Sequence, residues 1–482
     1  MSYHVAVDIG ASSGRLILAQ VEEGGWELTE VHRFKNGFHR EAGHDRWDSE
    51  ELVEQILRGL EKVKEAGVDS CTLGIDTWAV DYVLIKDGQP LANPVAYRDA
   101  RTEGSIEEVF SQLPAESIYQ KTGIQFLAFN TLFQYRREDK GLLAQADQTL
   151  LIPDYLAYRL TGKAVAEVTN ASTTQLLNIH QRDYDEELLE VAGIQRQQLP
   201  DLLEAGSWIG DLRPELYKVY DLPQVAVYAV ASHDTASAVV GVPATSPDFA
   251  YISSGTWSLI GVENTDPIVT TASQEANYTN EWGAYQTYRF LKNVTGMWTV
   301  QEIARCLDYA YSYAEMAEQA RQVAPFQQLV NLNDDRFTNP AHMIAEIQAY
   351  CRETDQIVPE TVGELTMCVY SNLALIYATE WQRLEGLTGK TFDALHIVGG
   401  GSNVRLINQL TANLIQKPVI AGPGEGTAIG NLLVQLIATG QLADLSQARL
   451  FLKEQTELKT FLPEGTVDPS LLTTFKEVTH YH

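Results

Sequence analysis

The sequence predicts an α/β protein of two domains, and three observations predict it. Strand and helix signals alternate in both halves, a strand, small-residue turn and strand occur in succession twice, and a turn-rich stretch at 240–248 separates the halves. The chain of 482 residues has room for two to four domains at roughly 100–200 residues each. Apolar residues make up 45% of it and charged residues 21%, a composition that buries real cores and differs from that of disordered chains.

Taken in order, residues 5–9 read as a buried strand, Gly10-Ala11-Ser12-Ser13-Gly14 as a turn of small residues, and 15–19 as the returning strand. Residues 251–262 repeat this plan around Ser254-Gly255-Thr256-Trp257. Further strands are expected at 71–75, 79–85, 225–230 and 394–398. Helices are expected at 50–65, 151–160, 296–309, 364–384 and 405–416, where apolar residues recur every three to four positions. Pro153 falls in the first turn of one of these, where proline is tolerated. The stretch 310–354 is polar and helix-favouring and reads as an insertion on the second domain. The boundaries expected are 1–244, 245–455 and a C-terminal tail at 456–482.

With 35 Lys and Arg against 64 Asp and Glu, the formal charge is −29. Such a surface repels nucleic-acid phosphates and anionic lipids, so neither nucleic acid nor membrane is expected as a partner. A small anion is not excluded, because backbone N–H groups and a metal ion can hold it inside one local pocket. No apolar run approaches the 18 or so residues that span a bilayer. The four cysteines include no C-x-x-C pair, so neither a disulfide framework nor a zinc site is expected. A cytoplasmic location fits that usage.

Residues 8–15, Asp8-Ile9-Gly10-Ala11-Ser12-Ser13-Gly14-Arg15, combine small residues at a hairpin tip with hydroxyls and an arginine. Backbone N–H groups there could approach phosphate oxygens, and Asp8 could hold Mg²⁺ through water. An ordinary β-turn is the other reading. The repeat at Ser254-Gly255-Thr256 is a candidate second phosphate clamp. Gly399-Gly400-Gly401 follows a strand and precedes a helix, so its N–H groups are candidates for a nucleotide, although the order differs from G-x-G-x-x-G. Residues 386–391 end in Gly-Lys-Thr but carry Leu384 where a P-loop has its first glycine, and so read as a helix C-cap and turn. After the strand at 225–230 comes Ser232-His233-Asp234-Thr235. An Asp at a strand end can accept a proton from a substrate hydroxyl, while Asp234 or Ser232 could equally cap the following helix.

Residues 8–15, 232–235, 253–258, 399–401 and the run Gly422-Pro423-Gly424-Glu425-Gly426-Thr427-Ala428-Ile429-Gly430-Asn431, in that order, resemble the FGGY family of carbohydrate kinases. The resemblance covers residues 5 to about 435. It implies two ribonuclease-H-like domains of the actin/hexokinase type with a catalytic cleft between them. Residues 74–82, 96–101 and 233–235 are most similar to members that phosphorylate the C1 hydroxyl of L-rhamnulose with ATP and Mg²⁺. Kinases of xylulose, ribulose or fuculose share the ATP motifs, and a nucleotide-switched binding protein of the actin superfamily is a rival from another class.

Position by position, the resemblance assigns Asp234 as general base. Ala11, Ser12, Ser13, Gly14 and Arg15 go to ATP phosphates, Thr256 to the γ-phosphate side, and Gln301 and Gly400 to the nucleotide. Ala79, His233, Asp234, Thr235 and Asn293 go to the sugar. Glycine is usual at position 79, and the alanine here leaves its carbonyl to the sugar but adds a methyl. The resemblance also implies a pairing of Cys351 with Cys368, for which two free buried thiols are the alternative.

Overall fold

The computed structural model describes residues 1–481. They form two compact units, each built from discontinuous chain. Residues 1–241, 263–290 and 426–455 make the first, and 242–262, 291–425 and 456–481 make the second.

The first unit is carried by a six-stranded sheet. Its strands are β1 (Ser2–Ile9), β2 (Ser13–Glu22), β3 (Gly25–Lys35), β4 (Ser70–Thr77), β5 (Trp208–Asp211) and β6 (Gln224–Tyr228), in the order β5-β6-β4-β1-β2-β3. The first three strands are antiparallel, whereas β4 runs parallel to β1 and β6 parallel to β4. Helix α1 (Ser49–Glu65) connects the meander to β4. Asp48 caps it by accepting the Glu51 N–H, Glu50 and Glu51 lie in its first turn, and Lys62 and Lys64 in its last, an arrangement that suits the helix dipole. Its apolar stripe of Leu52, Ile56, Leu60 and Val63 is buried in the core with Val5, Val7 and Leu73; each such side chain contributes roughly 1.5–3 kcal/mol.

A seven-stranded sheet repeats the opening of the first. Its strands are β7 (Phe249–Ser254), β8 (Trp257–Asn264), β9 (Thr279–Trp282), β10 (Tyr288–Thr295), β11 (Ala394–Val398), β12 (Val419–Ala421) and β13 (Lys459–Phe461), in the order β9-β10-β8-β7-β11-β12-β13. As in the first sheet, β7 and β8 form an antiparallel hairpin and β11 is parallel to β7. The expected α/β class and doubled plan are therefore present.

Several expectations change in detail. The strand expected at 79–85 starts only at Tyr82, because Val80 has a φ of 69° and the Asp81 N–H turns back to the Ala79 carbonyl at 3.0 Å. The helix expected at 296–309 is shorter, Trp298–Cys306, and that at 364–384 longer, Val362–Thr388, with a capping box between Thr361 and Glu364. Gly389 ends the latter with a φ of 66°, as its sequence suggests. The stretch 310–354 is not merely a polar addition, since it buries Met316, Phe337 and Ile347. Nor is 456–481 a loose tail. It supplies β13 and a helix, Ser470–Thr479, and the Tyr481 hydroxyl donates to buried Glu380 at 2.7 Å. Residues 240–244, expected as linker, are buried. Cys351 and Cys368 are free, buried thiols. Among the described residues no helix is long and apolar enough to cross a membrane.

Two helices of the first unit touch backbone to backbone. They are α2 (Asp234–Val240) and α3 (Gly426–Ala438). A Cβ on Gly430 would lie 1.7 Å from the Ser237 carbonyl oxygen, and one on Gly241 would lie 2.4 Å from the Gly426 oxygen. Gly430 of the 422–431 run thus serves helix packing, and the helix it packs against begins with Asp234. Gly430→Ala is expected to cost about 1–3 kcal/mol by overpacking and to lower kcat by moving α2. Urea unfolding followed by turnover at matched folded fraction checks this, and unchanged stability would show that the crossing has slack.

Candidate functional site

The first unit brings three carboxylates to the carboxyl ends of adjacent parallel strands, where ligands bind in open α/β sheets. Asp8 and Asp76 are register partners on β1 and β4. The chain beyond β6 joins the same edge through an isolated bridge between Thr77 and His233, with the Thr77 N–H donating to the Ser232 carbonyl at 2.9 Å. Asp234 follows at once.

Each carboxylate is held differently. Asp8 faces Arg15 across the β1–β2 pair, and Oδ2 accepts from Arg15 Nη2 at 2.8 Å and Nε at 3.1 Å. Asp76 is fully buried, accepts from Asn431 Nδ2 at 2.6 Å on Oδ2, and has no hydrogen-bond partner on Oδ1. Burial pushes its carboxyl well above the ordinary range. The negative charges of Asp8 and Asp234 add to that, and the Asn431 bond offsets part of it.

Asp234 is the first residue of α2, and its side chain remains 31% exposed. Oδ1 accepts the Thr235 N–H at 2.6 Å and lies 3.4 Å from His233 Nε2. Neither capping alternative is realised. The N-cap position belongs to His233 and makes no side-chain cap bond, while the Ser232 hydroxyl donates to Glu167 at 2.7 Å. The Asp234 carboxyl is raised by burial and by Asp8, with His233, the Thr235 N–H and Arg289 opposing.

Sequence reasoning did not single out Arg289 and Glu281. Arg289 is completely buried; Nη1 donates to Thr235 Oγ1 at 2.9 Å, and Nη2 to His233 Nδ1 at 3.1 Å and Glu281 Oε2 at 2.8 Å. Burial pushes the Glu281 carboxyl up, but opposing causes, the charge of Arg289 first among them, outweigh it and hold it at about 2. The available signal was an arginine and a glutamate embedded in short strands of otherwise buried residues. Asp81 was also missed as a support. It accepts from the Trp47 and Trp78 indoles, Gln134 and the Tyr97 N–H, and burial raises it to about 6 despite these donors. It braces the turn that contains Ala79.

The hairpin tip at 10–14 is braced by Asn36, whose N–H and Nδ2 donate to the Ser12 and Gly10 carbonyls at 3.0 and 2.8 Å. Ala11 and Ser12 are exposed, and Ser13 and Arg15 are half-buried. Gly14 has a packing reason to be glycine, since a Cβ there would lie 2.1 Å from the Phe34 ring.

In the second unit, the tip at 254–257 is closed by Gly255 N–H to Trp257 O at 2.8 Å. It is seated on the start of the helix Trp298–Cys306 through Met297 N–H to Gly255 O and Trp298 N–H to Thr256 O. This brings Gln301 to Thr256, whose hydroxyl donates to Oε1 at 3.5 Å. The three glycines at 399–401 differ. A Cβ at 399 or 401 would meet Ser254 at 2.8 or 2.0 Å, and Gly399 has a φ of 82°, whereas one at 400 meets nothing within 4 Å. Gly400 is the one open to a ligand. Asn293 lies half-buried within β10, a strand residue and not a turn. Among the described residues no group of three His, Cys, Asp or Glu side chains is arranged to hold a metal ion.

These glycines make a test pair. Gly401→Ala is expected to lose about 1–3 kcal/mol through overpacking, and Gly400→Ala to stay within roughly 0.5 kcal/mol of the parent, as an open position does. Thermal or urea unfolding of both variants checks the contrast.

The models of the FGGY family of carbohydrate kinases match residues 3–241 for the N-terminal domain and 250–439 for the C-terminal domain. A rhamnulokinase of Ligilactobacillus salivarius (strain UCC118) is 53% identical over 465 residues, 96% of each chain. One of Enterococcus faecalis (strain ATCC 700802 / V583) is 54% identical over 453 residues, 92% of this chain and 91% of that one. Among solved structures, ligand-bound xylulose kinase from Lactobacillus acidophilus has the same fold, with a TM-score of 0.79 at 17% identity over 99% of this chain and 96% of that one. With both halves matched, the chain belongs to the FGGY family of carbohydrate kinases and is an ATP:sugar phosphotransferase.

Proposed function

We propose that the enzyme transfers the γ-phosphoryl group of ATP to the C1 hydroxyl of L-rhamnulose, releasing ADP and L-rhamnulose 1-phosphate in L-rhamnose breakdown. The relatives that carry the name rhamnulokinase support the substrate. The observation that carries the chemistry is Asp234: a half-exposed carboxylate at the start of α2, beside the ends of β1 and β4, with the Thr235 N–H and His233 Nε2 both on Oδ1. The hydroxyl oxygen attacks the γ-phosphorus, its proton passes to Asp234, and the bond to the ADP oxygen breaks. Phosphoryl transfer needs positioning and charge stabilisation more than covalent chemistry, so one base and well-placed donors suffice.

In this reading His233, Thr235, Ala79 and Asn293 bind the sugar. The Ala79 carbonyl already accepts the Asp81 N–H, so it would offer the sugar only its second lone pair. Residues 11–15 and Thr256 address the phosphates, and Gln301 and Gly400 the nucleotide. Mg²⁺ fits the donor set, because it needs only one or two carboxylates beside phosphates and water. Asp8 would hold it through water, and the buried, unpartnered Oδ1 of Asp76 lies at the same strand ends. When bound, the ion would neutralise charge on the phosphate oxygens. A cytoplasmic location accords with a kinase that consumes ATP.

A panel of ketoses in a coupled ADP-release assay tests the substrate, and a clear preference for xylulose, ribulose or fuculose would replace L-rhamnulose. Asp234→Asn keeps shape and removes the base, with an expected loss of about 10²–10⁴-fold in kcat in a folded protein. Near-normal turnover would end the base assignment. Because the base acts ionised and its carboxyl is raised, kcat/KM is expected to fall with decreasing pH at a midpoint above the ordinary Asp value of about 3.9; a pH profile of the parent enzyme reads this directly.

A further inference from the structure

We propose that Arg289 is a positioning residue that fixes His233 in one tautomer, with the proton on Nε2, and thereby sets which oxygen of Asp234 faces the substrate. The inference rests on the role of Asp234 proposed above. Its physical core does not depend on which sugar is phosphorylated.

An arginine can only donate hydrogen bonds. Arg289 Nη2 meets His233 Nδ1 at 3.1 Å in hydrogen-bonding geometry, so Nδ1 must be the acceptor and the ring proton must sit on Nε2. Glu281 Oε2 is a competing neighbour of Nδ1, but it lies farther away, at 3.3 Å, and already accepts the other Nη2 proton at 2.8 Å. Thr235 Oγ1 is 3.2 and 3.1 Å from the two ring nitrogens. That near-equality places it off both in-plane bonding directions, so the hydroxyl does not decide the tautomer.

The consequence reaches Asp234. With its proton on Nε2, His233 turns the positive end of that N–H towards Asp234 Oδ1, 3.4 Å away and outside hydrogen-bonding geometry, the same oxygen that accepts the Thr235 N–H at 2.6 Å. The Thr235 N–H holds Oδ1, the Nε2–H lends it a favourable electrostatic neighbour, and Oδ2 is left to take the substrate proton. Arg289 also donates from Nη1 to the Thr235 hydroxyl at 2.9 Å, which leaves the hydroxyl its own hydrogen to donate. One guanidinium therefore orients the polar atoms on both sides of the carboxylate. Nε closes the set by donating to the Trp282 carbonyl at 3.3 Å. A lysine cannot reproduce this fork.

The test is the ring itself. Long-range proton–nitrogen NMR of the sugar-free enzyme labelled with ¹⁵N-histidine, at about pH 8 where ordinary imidazoles are neutral, reports the tautomer, and loss of one signal set in His233→Gln assigns it. A bare Nδ1 and a protonated Nε2 are expected; a protonated Nδ1, in either the other tautomer or the imidazolium, overturns the proposal. In Arg289→Lys the single tautomer is expected to give way to a mixture, with kcat reduced by ~10²-fold, the scale of a small misplacement of a reacting group, and KM for ATP unchanged. A variant that keeps full kcat overturns the positioning role. A merely structural role would lower the melting temperature without changing the tautomer. Should Arg289→Lys fail to fold, the parent spectrum still decides. The kinetic arm uses whichever ketose the enzyme accepts, so a different sugar preference would leave the tautomer result standing.

Discussion

Three carboxylates at the ends of neighbouring strands repel one another, and the first unit is organised around containing that repulsion. Asp8, Asp76 and Asp234 are brought together by ordinary strand pairing: β1 beside β4, and β4 beside the turn after β6. Like charges at such sites cannot all ionise freely. Asp8 takes a bidentate-style contact from Arg15 on the adjacent strand, the strong form of a cross-strand charge pair. Asp76 is buried, receives one hydrogen bond, and is driven towards its neutral form. Asp234 stays at the surface of the recess with donors close by. The support reaches deep into the fold, since Asn431 holds Asp76 and accepts in turn from Gln435 Nε2 at 2.7 Å. Gly74 leaves room for that pair, because a Cβ there would lie 2.4 Å from the Asn431 amide oxygen.

The same economy accounts for how a chain with a formal charge of −29 can serve an anionic co-substrate. No broad basic surface is needed where the cations sit inside. Arg15 and Arg289 are each tied to a carboxylate, at 2.8 Å in both cases, so each places a positive charge at a fixed point while the pair stays close to neutral. Fixed charges of this kind act locally and leave the acidic exterior unchanged. Electrostatics at the site and electrostatics of the surface are separate questions in this protein.

Features encoded by local pattern were legible in the sequence. The two hairpins, the strands at 71–75 and 394–398, and the helix over 50–65 each carry their own periodicity and turn residues, and each is present. The ends were less legible. Val80 adopts a positive φ that no propensity anticipates in a β-branched residue, and so the strand begins late. Pairings between distant segments were not legible at all. Asn431 meets Asp76 across 355 positions, and Arg289 meets His233 across 56; a charge within a buried strand marks Arg289 as unusual, but nothing local names the partner of either residue. Glycines were ambiguous for a different reason. Gly14, Gly401 and Gly430 have no room for a Cβ, while Gly400 has ample room, yet in a motif they look alike.

Asp76 and Asp234 make the most informative comparison, because burial raises both and the neighbours that oppose it differ. Asp76 stands near the end of β4 and Asp234 at the start of α2 beside it, both are raised by burial, and both feel the charge of Asp8. Asp76 has a single amide donor and no access to solvent, so its charged form is the costly one. Asp234 has the Thr235 N–H, His233 and the charge of Arg289 to oppose burial, and its side chain is 31% exposed. A proposed base must be ionised before the substrate arrives and still hold a proton once it is offered. A carboxylate with too many donors would be too weak for the second task, and one with too few would already be neutral, as Asp76 is driven to be. The position of Asp234 between these limits is set by its neighbours and not by its own residue type, which is why an aspartate at a strand end could not by itself identify the base.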